Sequence, residues 1–140
     1  MNSGGPNLGL RISLGAIGLG QFLNGLFMLV STDQWYAMVP GVTMTGPLNR
    51  HFIVDIGLMF VLSGALLAAG SCPGKTPATL ALAGATWPAL HAFFHVWGWI
   101  VHGLPRNVGI LLSDSIGVML ISWLGLGFAY LNARAQRRNS

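Results

Sequence analysis

Long apolar stretches alternate with short polar breaks along this chain. The stretches run about Leu10 to Val30, Phe52 to Gly70, Ala78 to Val101 and Val108 to Leu131. Each has roughly the 17 to 25 residues that cross ~30 Å of hydrocarbon as a helix. A backbone in lipid must satisfy its own hydrogen bonds, which makes helices the expected form. The breaks are equally legible. Val39-Pro40-Gly41 and Thr45-Gly46-Pro47 mark tight turns inside the longest connection, Ser31 to Arg50. Thr32-Asp33 suits a short capped turn, and Asn49 suits the N-cap of the second stretch. Gly103-Leu104-Pro105 ends the third. The pattern predicts an all-α, four-transmembrane-helix bundle, one domain over residues 1–140, with an ordered outer loop between its first two spans.

Composition agrees. The chain is 53% hydrophobic and 7% charged, against roughly 25% charged for a soluble domain. Too few polar side chains exist to cover a water-soluble globule. Twenty glycines suit helices that approach closely in a membrane. Gly15, Gly18, Gly20, Gly57, Gly64, Gly117, Gly125 and Gly127 are the expected contact points. The net charge of +4 is a flanking pattern, not a nucleic-acid patch. Arg11, Lys75, Arg134, Arg137 and Arg138 would share one side, leaving Arg50 and Arg106 on the other. The positive-inside rule then puts both termini in the cytoplasm. The first stretch has a long core and no small-x-small cleavage signal after it, so it reads as a retained anchor. Met1 to Leu8 reads as a loose tail. Cys72 is the sole cysteine, which excludes an intrachain disulfide.

Chemistry concentrates toward the outer ends. His91, His95 and His102 are spaced by four and eleven residues, and eleven residues make about three helical turns, so all three share a face. Ionisable groups at membrane depth are costly and mark functional sites by default. Counting down from the outer ends at 1.5 Å per residue puts Asp55, Asp114, His95 and Asn24 at ~8 to 12 Å of depth. Four helices would thus each supply a polar group at one level.

Several readings follow from that level. A metal would use His91 and His95, one helical turn apart, with Asp55 and Asp114 from facing helices. The absence of glutamate excludes the Glu-x-x-His pattern of di-iron bundles. Haem would draw on His51 or His102, with Trp97 and the neighbouring Phe93, Phe94 and Trp99 flanking its ring. A quinone needs an apolar slot with one or two polar donors, for which His95 and Asp114 serve, and Asn24 is a further cofactor-facing candidate. Against these stands a purely structural reading. His51–Asp55 would be an intrahelix pair, Asp114 would pair with a histidine, and Gln21 and Asn24 would bond a neighbouring helix as polar glue. Function therefore divides between an accessory membrane protein holding a metal or cofactor, a cofactor-free subunit of a larger membrane complex or a homo-oligomer, and a proton relay or transporter.

One likeness bears on this choice. Trp35-Tyr36-Ala37-Met38-Val39-Pro40-Gly41-Val42, Thr45-Gly46-Pro47-Leu48-Asn49-Arg50-His51-Phe52 and Asp55-Ile56-Gly57 resemble segments of small bacterial inner-membrane proteins. Their layout is similar to the DoxX-like four-helix proteins. The resemblance implies a bacterial cytoplasmic membrane, four spans and a redox-linked accessory role.

Overall fold

The computed structural model describes residues 8–72 and 77–138. The N-terminal tail and Lys75 lie outside the described residues, so the expectations made for them are not taken further. The described residues are 88% helical and include no strand. Its helices are α1 (Leu8–Val30), α2 (Thr32–Met38), α3 (Arg50–Gly70), α4 (Pro77–His102) and α5 (Val108–Arg138). The short α2 is an addition to the expected pattern. It and a 3-10 turn over Val42–Thr45 occupy the long loop. By length and apolarity α1, α3 and α5 can each cross a membrane. That is consistent with a membrane protein.

Local chemistry sets the boundaries. The Asn49 side chain accepts from Phe52 N at 3.1 Å, and Asn107 caps α5 through Ile110 N at 3.2 Å. Both satisfy amides that the first helical turn leaves unpaired. Gly103 ends α4 with φ +84°, a left-handed conformation open to glycine at little cost. Within α5, residues Ser113–Leu120 widen into a π-helical stretch that begins beside Asp114. Such stretches are uncommon and recur at functional sites.

The four long helices close a ring in which α1 packs on α3, α3 on α4, α4 on α5, and α5 back on α1. Glycine draws α1 and α3 together along their whole length. A Cβ on Gly18 would meet Ala68 N at 2.6 Å, and one on Gly25 would meet the Gly57 carbonyl oxygen at 2.7 Å. Gly64 lies against the Phe22 backbone, and Gly70 and Gly84 bring α3 and α4 together in the same way. Of the expected contact glycines, Gly18, Gly57 and Gly64 serve this role. Gly20, Gly117 and Gly127 do not, since nothing lies within 4 Å of where their Cβ would be. Sequence spacing identified glycines but not the direction each one faces.

At the end carrying the termini, Leu14, Leu67, Ala81, Ala85 and Ala129 form a dry core. Arg11 Nε donates to the Ser71 carbonyl at 2.7 Å, placing a cation at the C-terminal end of α3 where the helix dipole favours one. At the other end the ring opens. The Ile121–Arg138 part of α5 packs on α1, whereas Val108–Leu120 makes no substantial contact with it. The long loop lies over this opening as a lid. Its Gly41 reaches across to α5, where a Cβ would meet Ile110 at 3.1 Å.

Candidate functional site

The opening is a cleft of about 2510 Å³ between the α1–α3 pair, the α4–α5 pair and the lid. Its walls are mostly apolar side chains, with Gln21, Asn24, His91, His95, His102 and Asp114 among the polar groups facing it. Few-polar, largely apolar concavities are the common form of small-molecule sites. This one is larger than the usual ~300 to 1,000 Å³.

Helix α4 carries a row of rings, of which His91, His95 and Trp99 line the cleft. Trp87, His91, His95 and Trp99 follow one another at steps of four, the row that forms a ridge on a helix. Asp114, from the first turn of the π-helical stretch, faces the middle of this row. Its Oδ1 lies 3.2 Å from His95 Nδ1, and its Oδ2 accepts from Trp99 Nε1 at 3.2 Å. His95 Nε2 in turn lies 3.3 Å from His91 Nε2. The His91 ring stacks on Trp87, with centroids 5.2 Å apart and planes within 7°, and Phe94 covers it at 6.2 Å. Phe60 of α3 meets both Trp87 and His91 edge-on.

The polarity of this chain of bonds follows from the carboxyl group. A carboxylate only accepts, and the tautomer of His95 that matches it presents Nδ1–H to Asp114 and turns the Nε2 lone pair toward His91. In that arrangement His91 donates from Nε2, leaving Nδ1 as a lone pair without a partner among the described residues.

The remaining candidates fall elsewhere. His51 and Asp55 pair with each other at 3.6 Å on the exposed side of α3, with side chains 90% and 56% exposed. Asp55 therefore does not join His91, His95 and Asp114. The expected four-helix polar level loses its α3 member because α3 is rotated to put Ile53, Gly57 and Gly64 inward. No group of three or more His, Cys, Asp or Glu is gathered to hold a metal among the described residues. Of the four expected ligands, His91, His95 and Asp114 line the cleft and Asp55 does not. His102 and Trp97 line the cleft nearer its mouth. Asn24 bonds the lid, accepting from Trp35 Nε1 at 3.1 Å, in place of a neighbouring long helix. Gln21 makes no hydrogen bond among the described residues, and its Oε1 is buried without a partner.

Sequence reasoning passed over Trp87 and the bonding role of Trp99. The signal was present: both continue the four-residue spacing of His91 and His95. Apolar pattern alone could not say that Gly20, Gly98 and Gly117 line open space.

No family model matches this chain, and neither the curated proteins nor the solved structures include a match to it.

Proposed function

We propose that this chain is an integral membrane protein of four spans, α1, α3, α4 and α5, that binds a lipid-soluble molecule with an oxygen-bearing head. The apolar part of the ligand occupies the lidded cleft. Its head bonds to His91, and the Asp114–His95–His91 row sets the protonation of that contact. The observation that carries this reading is the run of hydrogen bonds from Trp99 through Asp114 and His95, which ends on an unpartnered His91 nitrogen in a cleft wall. A purely structural lock would satisfy its own polar groups, because unpaired ones are costly in hydrocarbon. The DoxX-like layout adds a redox-linked accessory role in a bacterial cytoplasmic membrane to the same proposal, with both termini cytoplasmic.

The test is purification in native lipid nanodiscs, solvent extraction and mass spectrometry of bound molecules, wild type against His91→Phe. A lipid-soluble, oxygen-bearing species enriched with wild type and lost from the variant is expected. Equal enrichment in both, or none above empty nanodiscs, overturns the reading. The spacing of the two Nε2 atoms favours one alternative occupant, since 3.3 Å is also the span of two imidazoles on a single cation. Bound metal removed by His91→Phe in the same preparations would install that alternative.

A further inference from the structure

Hydrogens along the Asp114–His95–His91 row are fixed from its far end. Trp99 Nε1–H can only donate, so Asp114 Oδ2 accepts. The other oxygen, Oδ1, lies 3.2 Å from His95 Nδ1, and in a carboxylate it accepts there too. A neutral imidazole carries one N–H, so His95 spends its own on Asp114 and offers Nε2 as a lone pair. His91 Nε2, 3.3 Å away, then holds the hydrogen of that contact. One nitrogen is left over, His91 Nδ1, and it is an acceptor.

That atom is open to a ligand. His91 lines the cleft and is half-buried. Among the described residues the polar side-chain atoms sealed away without a partner are the Gln21 and Asn132 amide oxygens, and His91 Nδ1 is not one of them. Trp87 stacks on the imidazole with centroids 5.2 Å apart and Phe60 meets it edge-on at 6.4 Å, so apolar rings fix its plane. Toward the lid the same stripe of α4 continues through Gly98, seven residues or nearly two turns on. A Cβ there would touch nothing within 4 Å, which keeps the stripe clear above the histidine pair.

We propose that the ligand's head donates a hydrogen bond to His91 Nδ1, which makes it a hydroxyl compound, an alcohol or phenol, in preference to a ketone of similar shape. The inference rests on the binding function above and narrows its substrate class. His91 sets specificity by contact. His95 and Asp114 are positioning residues that act by deciding which nitrogen holds the proton.

Asp114→Asn reverses the row. Trp99 still needs an acceptor, which claims the amide oxygen and turns the amide N–H toward His95 Nδ1. His95 then donates from Nε2, His91 accepts at Nε2, and His91 Nδ1 becomes a donor.

The test uses full-length protein in nanodiscs with three probes: naphthalene, 2-naphthol, which can donate, and 2-acetonaphthone, which can only accept. Equilibrium dialysis against empty nanodiscs removes lipid partitioning. In wild type 2-naphthol should bind roughly fivefold tighter than naphthalene, the ratio for one net hydrogen bond, and 2-acetonaphthone no tighter than naphthalene. In Asp114→Asn 2-acetonaphthone should gain roughly fivefold over naphthalene. In His91→Phe neither polar probe should keep an advantage. A wild type that binds 2-acetonaphthone tighter than naphthalene overturns the donating head and leaves the binding function standing. So does a folded Asp114→Asn protein that gives 2-acetonaphthone no advantage. Three probes bound alike by wild type, or none above empty nanodiscs, overturn both. The wild-type series decides the matter even where a variant does not fold.

Discussion

Two regions of the bundle, the helix seams and the cleft wall, use the same residue type for opposite ends. Along the α1–α3 and α3–α4 seams, glycine removes side chains so that backbones touch: Gly18, Gly25, Gly64, Gly70 and Gly84 each have neighbouring backbone atoms where a Cβ would stand. On the cleft wall, Gly20, Gly98 and Gly117 remove side chains and nothing moves in. Glycine inside a helix costs about 1 kcal/mol relative to alanine. Close packing repays that cost at the seams. On the cleft wall only empty volume results, and it adds to the cleft. The comparison teaches that glycine content in an apolar helix reports contact or cavity depending on facing, which spacing alone does not reveal.

The sharpest way to break this comparison is a large side chain in each class. Gly64→Leu should force α1 away from α3, since its Cβ would already lie 2.6 Å from the Gly18 carbonyl oxygen. Overpacking of this kind costs about 1 to 3 kcal/mol, and more where backbone must shift. Denaturant titration in detergent micelles should show a strongly lowered midpoint or no folded protein. A midpoint like that of wild type would mean that the α1–α3 contact is not backbone-tight.

Gly117→Leu should do the reverse. Its side chain enters open space, so stability is kept or raised by up to about 1 kcal/mol through helix propensity. Occupancy should fall instead, with 2-naphthol binding weakened about tenfold, equivalent to ~1.4 kcal/mol. Unaltered binding would show that the ligand does not use the α5 side of the cleft.

Asp114→Leu tests whether the row of rings depends on its carboxylate. The substitution strips partners from Trp99 Nε1 and His95 Nδ1, leaving two half-buried donors. Each orphaned donor costs about 1 to 3 kcal/mol where it finds no substitute. With the His95 tautomer no longer fixed, hydroxyl-bearing probes should lose their advantage over naphthalene while naphthalene itself still binds. Asp114→Asn, which keeps an acceptor, should retain more of the stability than Asp114→Leu. Equal losses from both would make charge, not hydrogen bonding, the property that matters.

Much of this was legible beforehand. The four long helices follow from apolar runs, and the Asn49 cap and the Gly103 stop follow from residue types whose backbone chemistry is local. The His91–His95 pair and the depth of Asp114 follow from helical rise. What spacing could not supply is rotation about each helix axis. Asp55 lies on the exposed side of α3, because the small residues Gly57 and Gly64 claim its inward face. Gln21 and Asn24 carry the same amide chemistry one turn apart. They diverge because Trp35 of α2 reaches Asn24 and not Gln21.

The lid extends the comparison to its weakest contacts. It is tied to the bundle in three ways: by Trp35 on Asn24 inside the cleft, by Gly41 against Ile110, and by an ion pair between Asp33 and Arg50 outside it. The ion pair is the most visible and should matter least. Its side chains are 65% exposed for Arg50 and 55% for Asp33, and exposed pairs contribute roughly 0 to 1 kcal/mol, screened further by salt. Asp33→Ala should therefore leave the unfolding midpoint nearly unchanged and make it insensitive to added salt at this site. Trp35→Phe removes an indole donor from a partly buried amide and should cost about 1 kcal/mol at any ionic strength. If Asp33→Ala proved the more damaging, the lid would be held from outside, and the cleft beneath it would be sealed by charge instead of by fit.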